Sequence, residues 1–132
     1  MAAGLSGYNH QVYSAQLLDH FQNPRNAGEV HSPDAVAEVE NPVCGDRLRL
    51  SLKMDAGRIA EIRFKAKGCV PSMACASALT ELAAGKTLTE ARAVSREQVI
   101  SAVGGVPAAS VHAAQLALDA LAVALGSLRS SL

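Results

Sequence analysis

The 132 residues carry 12 basic and 12 acidic side chains, so the formal net charge is zero. That balance argues against nucleic-acid recognition, which needs a basic excess to neutralise phosphates, and leaves no polybasic anchor for anionic lipid. Apolar residues make up 49%, charged residues 18% and aromatic residues 3%, with no tryptophan. The reading is one globular domain spanning residues 1–132, with a small aliphatic core and no base-stacking platform.

Residues 1–9 are small and polar and are expected to be disordered. From about His10 to Gln22, Tyr13, Leu17, Leu18 and Phe21 recur at helical spacing, and Asn23-Pro24 ends the run. Asn26 to Asp34 reads as a loop, and Ala35 to Glu40 as a short strand. After the turn-rich segment Asn41 to Asp46, Arg47 to Met54 alternates, with Leu48, Leu50, Leu52 and Met54 on one face. Asp55-Ala56-Gly57 signals a hairpin. Arg58 to Lys67 alternates again, with Ala60, Ile62, Phe64 and Ala66 inward. Arg47, Arg49, Ser51 and Lys53, with Glu61, Arg63, Lys65 and Lys67, then point outward; Arg47, Arg49, Arg63, Lys65 and Lys67 make a basic face that reads as solvated, with balancing acids elsewhere, a partner surface being the alternative.

After Cys69 the period turns helical. Pro71 suits a first turn and Gly85 a C-terminal stop, with Ser72, Cys75, Ala76, Leu79, Leu82 and Ala83 on one stripe. Thr87 to Glu90 and Ser95 to Gln98 are capping boxes, each opening a short helix. After Gly104-Gly105-Val106-Pro107, a last helix from about Ala108 to Leu128 buries Val111, Ala114, Leu118, Leu121 and Leu125. His112, Gln115 and Asp119 interrupt its apolar run, so no membrane-spanning helix is expected. The order helix, strands, helices predicts an α+β fold with helices on one sheet face.

Three groups could carry chemistry: Cys44 and Asp46 in a loop entering a strand, Cys69 between a strand and a helix, and His112 in the first turn of the last helix. Carboxylate, thiolate and imidazole together suit zinc or iron. Two helix N-termini would favour a thiolate there. Spacing offers no paired CxxC, so on the residues alone a buried cysteine and a surface or capped histidine are the favoured reading. His10, His20 and His31 are scattered and read as solvated. The odd cysteine count and the absence of a signal-peptide pattern predict a reducing, cytoplasmic setting.

Tyr13 to Gly28 resembles the N-terminal signature of the IscU/NifU/SufU family of iron–sulfur cluster scaffold proteins. Asn41-Pro42-Val43-Cys44-Gly45-Asp46 and Phe64-Lys65-Ala66-Lys67-Gly68-Cys69 are similar to its two ligand loops, and Gly85-Lys86-Thr87-Leu88 to the segment after its central helix. The resemblance implies an IscU/SufE-like α+β fold, a three-stranded antiparallel sheet with five or six helices packed on one face. It implies a non-enzymatic scaffold for a [2Fe–2S] cluster or iron, with zinc as the alternative occupant. The implied ligands of cluster and metal are Cys44, Asp46, Cys69 and His112.

The implied partners are a cysteine desulfurase and apo iron–sulfur proteins, with the chain a monomer or a weak homodimer. Two positions depart from the pattern. The family's third cysteine, after the histidine, is Ala113 here. The family's Hsp70-type chaperone stretch reads Val106-Pro107-Ala108-Ala109-Ser110, without its lysine, which argues against that partner. Cys75 falls on the apolar stripe and is expected in the core, substitution for the missing thiol being the alternative. The absence of the SufU insertion makes the chain more like IscU in length.

Overall fold

The computed structural model describes residues 13–42 and 45–129. In chain order it has α1 (Ala15–Gln22), β1 (Ala35–Glu40), β2 (Arg47–Asp55), β3 (Arg58–Lys67), α2 (Val70–Ala83), α3 (Leu88–Arg92), α4 (Arg96–Ala102), a 3-10 turn (Ala108–Ser110) and α5 (Val111–Arg129). The strands form one antiparallel sheet in the order β1-β2-β3. α2 packs on β3, α5 packs on β1 and β2, and these helices pack on each other, with α1 lying on α2. The expected α+β architecture is the observed one.

Leu48, Leu50, Leu52, Ile62 and Phe64 are buried beneath the helices, as the alternation requires. Ala60 is not: it is exposed, and Ile59 is buried in its stead. The pairing shifts between Lys53, opposite Glu61, and Met54, opposite Ile59. This bulge leaves Ala60 unpaired and returns the preceding residue to the inner face. The hairpin itself closes through Ala56 and Gly57, both at positive φ, 53° and 76°.

The outer sheet face is partly covered. Gly28 N–H donates to the Phe64 carbonyl (2.8 Å) and Phe64 N–H to the Asn26 carbonyl (3.0 Å), which occupies the edge of β3. The loop then crosses to β2, where Val30 N–H donates to Ser51 Oγ, so Ser51 is buried and not solvated. The same loop brings Glu29 to Arg49 (3.0 Å) and Lys65 (3.1 Å), and β1 brings Glu38 to Arg49 (3.6 Å). The balancing acids therefore sit on the basic face itself, and Lys65 and Arg49 hold the Glu29 carboxyl below its usual range.

Helix boundaries follow local chemistry. Residues 10–12 lie outside the described residues; within them α1 starts at Ala15, because Ser14 is extended and its Oγ accepts from Leu17 N–H. Both capping boxes form, at Thr87 and at Ser95. α5 buries Ala113, Ala114, Ala117, Leu121, Ala124 and Leu125, whereas Val111 and Leu118 are only half-buried. A row of alanines, not the leucines alone, meets the sheet, since small side chains let a helix sit close. By length and composition alone residues 108–128 could cross a bilayer, contrary to expectation. Packing against the sheet and α2 accounts for that apolar face.

His20 is also not solvated. It is buried between α1 and α2, sharing a 2.8 Å hydrogen bond between its Nδ1 and Ser77 Oγ. Ser77 Oγ accepts Arg25 N–H as well (2.8 Å), and Glu81 lies 3.7 Å from His20 Nε2. Burial pushes the His20 pKa down. His31 is exposed as expected, and His10 lies outside the described residues.

Candidate metal centre

The site forms where three elements begin together. Asp46 leads into β2, Cys69 is the N-cap of α2, one residue past the end of β3, and His112 lies in the first turn of α5. One ligand atom from each of Asp46, Cys69 and His112 lies within 4.8 Å of the others. Cys44 lies outside the described residues. Three of the four residues singled out from the sequence are thus brought together by the fold.

Asp46 is buried and anchors the cluster. Its Oδ1 accepts Cys69 N–H (3.2 Å); its Oδ2 accepts the Ser72 hydroxyl (2.5 Å) and the Cys69 thiol (3.3 Å). Gly68 makes room for it: at φ 159° a Cβ on Gly68 would overlap the Asp46 carboxyl. Gly45, at φ 76°, turns the chain into β2, donating its N–H to the Asn41 carbonyl (2.7 Å).

His112 is oriented from behind. Its Nδ1 sits 3.1 Å from the Ala109 carbonyl, which can only accept, so Nδ1 carries the proton of a neutral ring. The Nε2 lone pair then faces Asp46 Oδ2 at 3.7 Å, buried and without a hydrogen-bond partner among the described residues. A nitrogen lone pair and a carboxylate facing each other can share a cation. This is how a carbonyl fixes the tautomer of a metal-binding histidine. Oxygen, sulfur and nitrogen donors of this kind fit zinc or iron.

Burial pushes the Cys69 thiol up, the Asp46 carboxylate adds to this, and hydrogen bonds from Ser72 oppose it. The thiol is thus held above its ordinary value, against the expectation that the helix start would favour a thiolate. Cys75 is fully buried in the core, its thiol pushed up to about 12 by desolvation and by Cys69. Ala113 is buried and supplies no donor atom. Ser72 and Gly68 are the residues that sequence reading passed over. The signal was there in the spacing: Ser72 stands three residues after Cys69, on the same side of the first helical turn.

The family model of the NifU-like N-terminal domain matches residues 12–131. The chain is 44% identical over 110 residues to the iron–sulfur cluster assembly scaffold protein IscU 1 of Archaeoglobus fulgidus, covering 83% of this chain and 72% of that protein. It is 46% identical over 114 residues to the nitrogen fixation protein NifU of Cereibacter sphaeroides, covering 86% of this chain and 46% of that one. The crystal structure of a nitrogen-fixing NifU-like protein (N-terminal) from Brucella abortus shares the fold, with a TM-score of 0.71 at 22% identity over 92% of this chain and 96% of its own. With the three-stranded sheet and the convergence of Asp46, Cys69 and His112 already described, the chain belongs to the NifU-like N-terminal domain family, whose relatives include iron–sulfur cluster assembly scaffold proteins.

Proposed function

We propose that this protein is a scaffold or carrier in iron–sulfur cluster assembly. Iron and sulfur are its cargo, the sulfur delivered by a cysteine desulfurase, and apo iron–sulfur proteins receive the product. Cys44, Asp46, Cys69 and His112 hold the iron or the [2Fe–2S] cluster. The observation that carries this reading is the convergence of Asp46, Cys69 and His112 within 4.8 Å. Cys69 and Cys44 supply the soft sulfur that iron–sulfur centres require, while Asp46 supplies a harder oxygen that binds such a centre less firmly. His112 arrives with its tautomer already fixed. Anaerobic mixing with iron, cysteine and a desulfurase tests this: the visible absorption of a [2Fe–2S] centre is expected. A colourless product with substoichiometric metal overturns it.

Ala113 favours a second reading, a zinc-holding paralogue that docks on the desulfurase without assembling a cluster. Four donors suffice for a closed tetrahedral zinc site. Zinc that copurifies and resists exchange for iron supports this reading, as does an Ala113→Cys variant that gains the cluster absorption the parent lacks. A parent protein that assembles the cluster unaided rejects it.

A further inference from the structure

Ser72 is buried in the first turn of α2, and its hydroxyl lies between two of the proposed ligands. Ser72 Oγ is 2.5 Å from Asp46 Oδ2 and 3.2 Å from Cys69 Sγ. A serine hydroxyl has one proton to donate, so it serves one of these acceptors at a time. With Cys69 as a thiol, the carboxylate takes it at the shorter distance. Asp46 Oδ2 there receives both the Ser72 hydroxyl and the Cys69 thiol, while Oδ1 is occupied by Cys69 N–H. The oxygen that faces His112 Nε2 is thus satisfied by two protons.

A cation bound by Cys69 changes that balance. Metal-bound cysteine is a thiolate, so the thiol proton leaves for solvent. The sulfur can then only accept, and the Ser72 hydroxyl is within reach of it. Turning the hydroxyl from Oδ2 to the sulfur takes one hydrogen bond away from Oδ2 and stabilises the sulfur lone pairs. Hydrogen bonds to ligand sulfur are one of the levers by which a protein tunes such centres.

We propose that the Ser72 hydroxyl is a positioning toggle between Asp46 and Cys69: it holds the carboxylate while Cys69 is a thiol and turns to the sulfur when Cys69 is metal-bound. This rests on the metal-binding reading above. It adds a residue outside the four proposed ligands that sets the electronic character of the Cys69 sulfur.

Cobalt(II), added anaerobically, is the probe, and the readout is the near-ultraviolet sulfur-to-cobalt absorption. Ser72→Ala is expected to shift this band to longer wavelength, because the sulfur lone pairs lose their hydrogen bond. Ser72→Thr, which restores a hydroxyl, is expected to return it to the parent position. Alanine fits the site sterically and is a good helix former, and far-ultraviolet circular dichroism confirms that each variant is folded. A Ser72→Ala band at the parent wavelength overturns the toggle, as does a Ser72→Thr band displaced as far as that of Ser72→Ala. Cys69→Ser separates the two ideas by removing the share of the band that Cys69 contributes. A parent protein with no sulfur-to-cobalt band overturns the metal reading and the toggle together, an outcome distinct from a band that is present and unmoved.

Discussion

His112 Nε2 faces Asp46 Oδ2 across 3.7 Å, with the Ala109 carbonyl holding the opposite ring nitrogen. On the proposed function, the pair shares a bound cation. His112→Ala is therefore expected to weaken zinc binding by at least the about 10–100-fold that loss of a mere supporting residue causes. Stability in the metal-free state should change by no more than about 0.5 kcal/mol, since the ring is only half-buried. Competition with a chromophoric chelator and a urea titration measure the two quantities. Equal zinc affinity in variant and parent removes His112 from the ligand set.

Gly68 and Asp46 are coupled by space. Gly68→Ala pushes a methyl group into the Asp46 carboxyl, an overpacking expected to cost about 1–3 kcal/mol. It should also weaken zinc binding, because the carboxyl that carries Cys69 N–H and the Ser72 hydroxyl is displaced. Unfolding in urea and the same chelator competition report both effects.

His20 predicts a pH dependence of stability. Its pKa in the folded protein is lowered from 6.5, first by burial and then by Arg25, with Glu81 and Asp19 opposing. The fold therefore prefers the neutral ring. Its contribution is complete above the unfolded value of 6.5 and is lost as pH falls from there through the lower folded pKa. Urea midpoints measured from pH 7.5 to pH 5 should fall, and His20→Gln should flatten that slope. An equal slope in the variant assigns the loss to other groups.

Ala56 sits at φ 53° in the two-residue turn between β2 and β3. A left-handed backbone costs an alanine about 1–2 kcal/mol, and Asn-Gly is the favoured sequence for such a turn. Ala56→Asn is expected to stabilise the protein by roughly 0.5–1 kcal/mol, or about 2–6 °C in melting temperature. Thermal unfolding followed by circular dichroism measures the gain, and a lowered melting temperature contradicts it.

Cys75 is fully buried with its thiol pushed up to about 12. Iodoacetamide near neutral pH should leave Cys75 unmodified in the native protein and modify it in denaturant, as peptide mass mapping resolves. Rapid native labelling at Cys75 contradicts its place in the core.

The sequence by itself determined the elements and the donor types. Alternation in Arg47 to Met54, the capping boxes at Thr87 and Ser95, and the stops at Asn23 and Gly85 act within a few residues, so local pattern suffices to read them. The candidate ligands Asp46, Cys69 and His112 were legible through the resemblance to a family's motifs, because their spacing alone offers no paired CxxC. Ala60 was misread because a bulge is set by the partner strand, and alternation within one strand is blind to it. His20 and Ser51 were misread as solvated because each is covered by a segment distant in sequence: α2 carrying Ser77, and the loop carrying Val30. Only the tertiary structure could decide that Asp46, Cys69 and His112 meet, that Ser72 joins them, and that Gly68 leaves them room. These are contacts between residues 23 and more positions apart for Asp46 with Cys69 or Ser72, and their geometry depends on how α2 and α5 pack on the sheet.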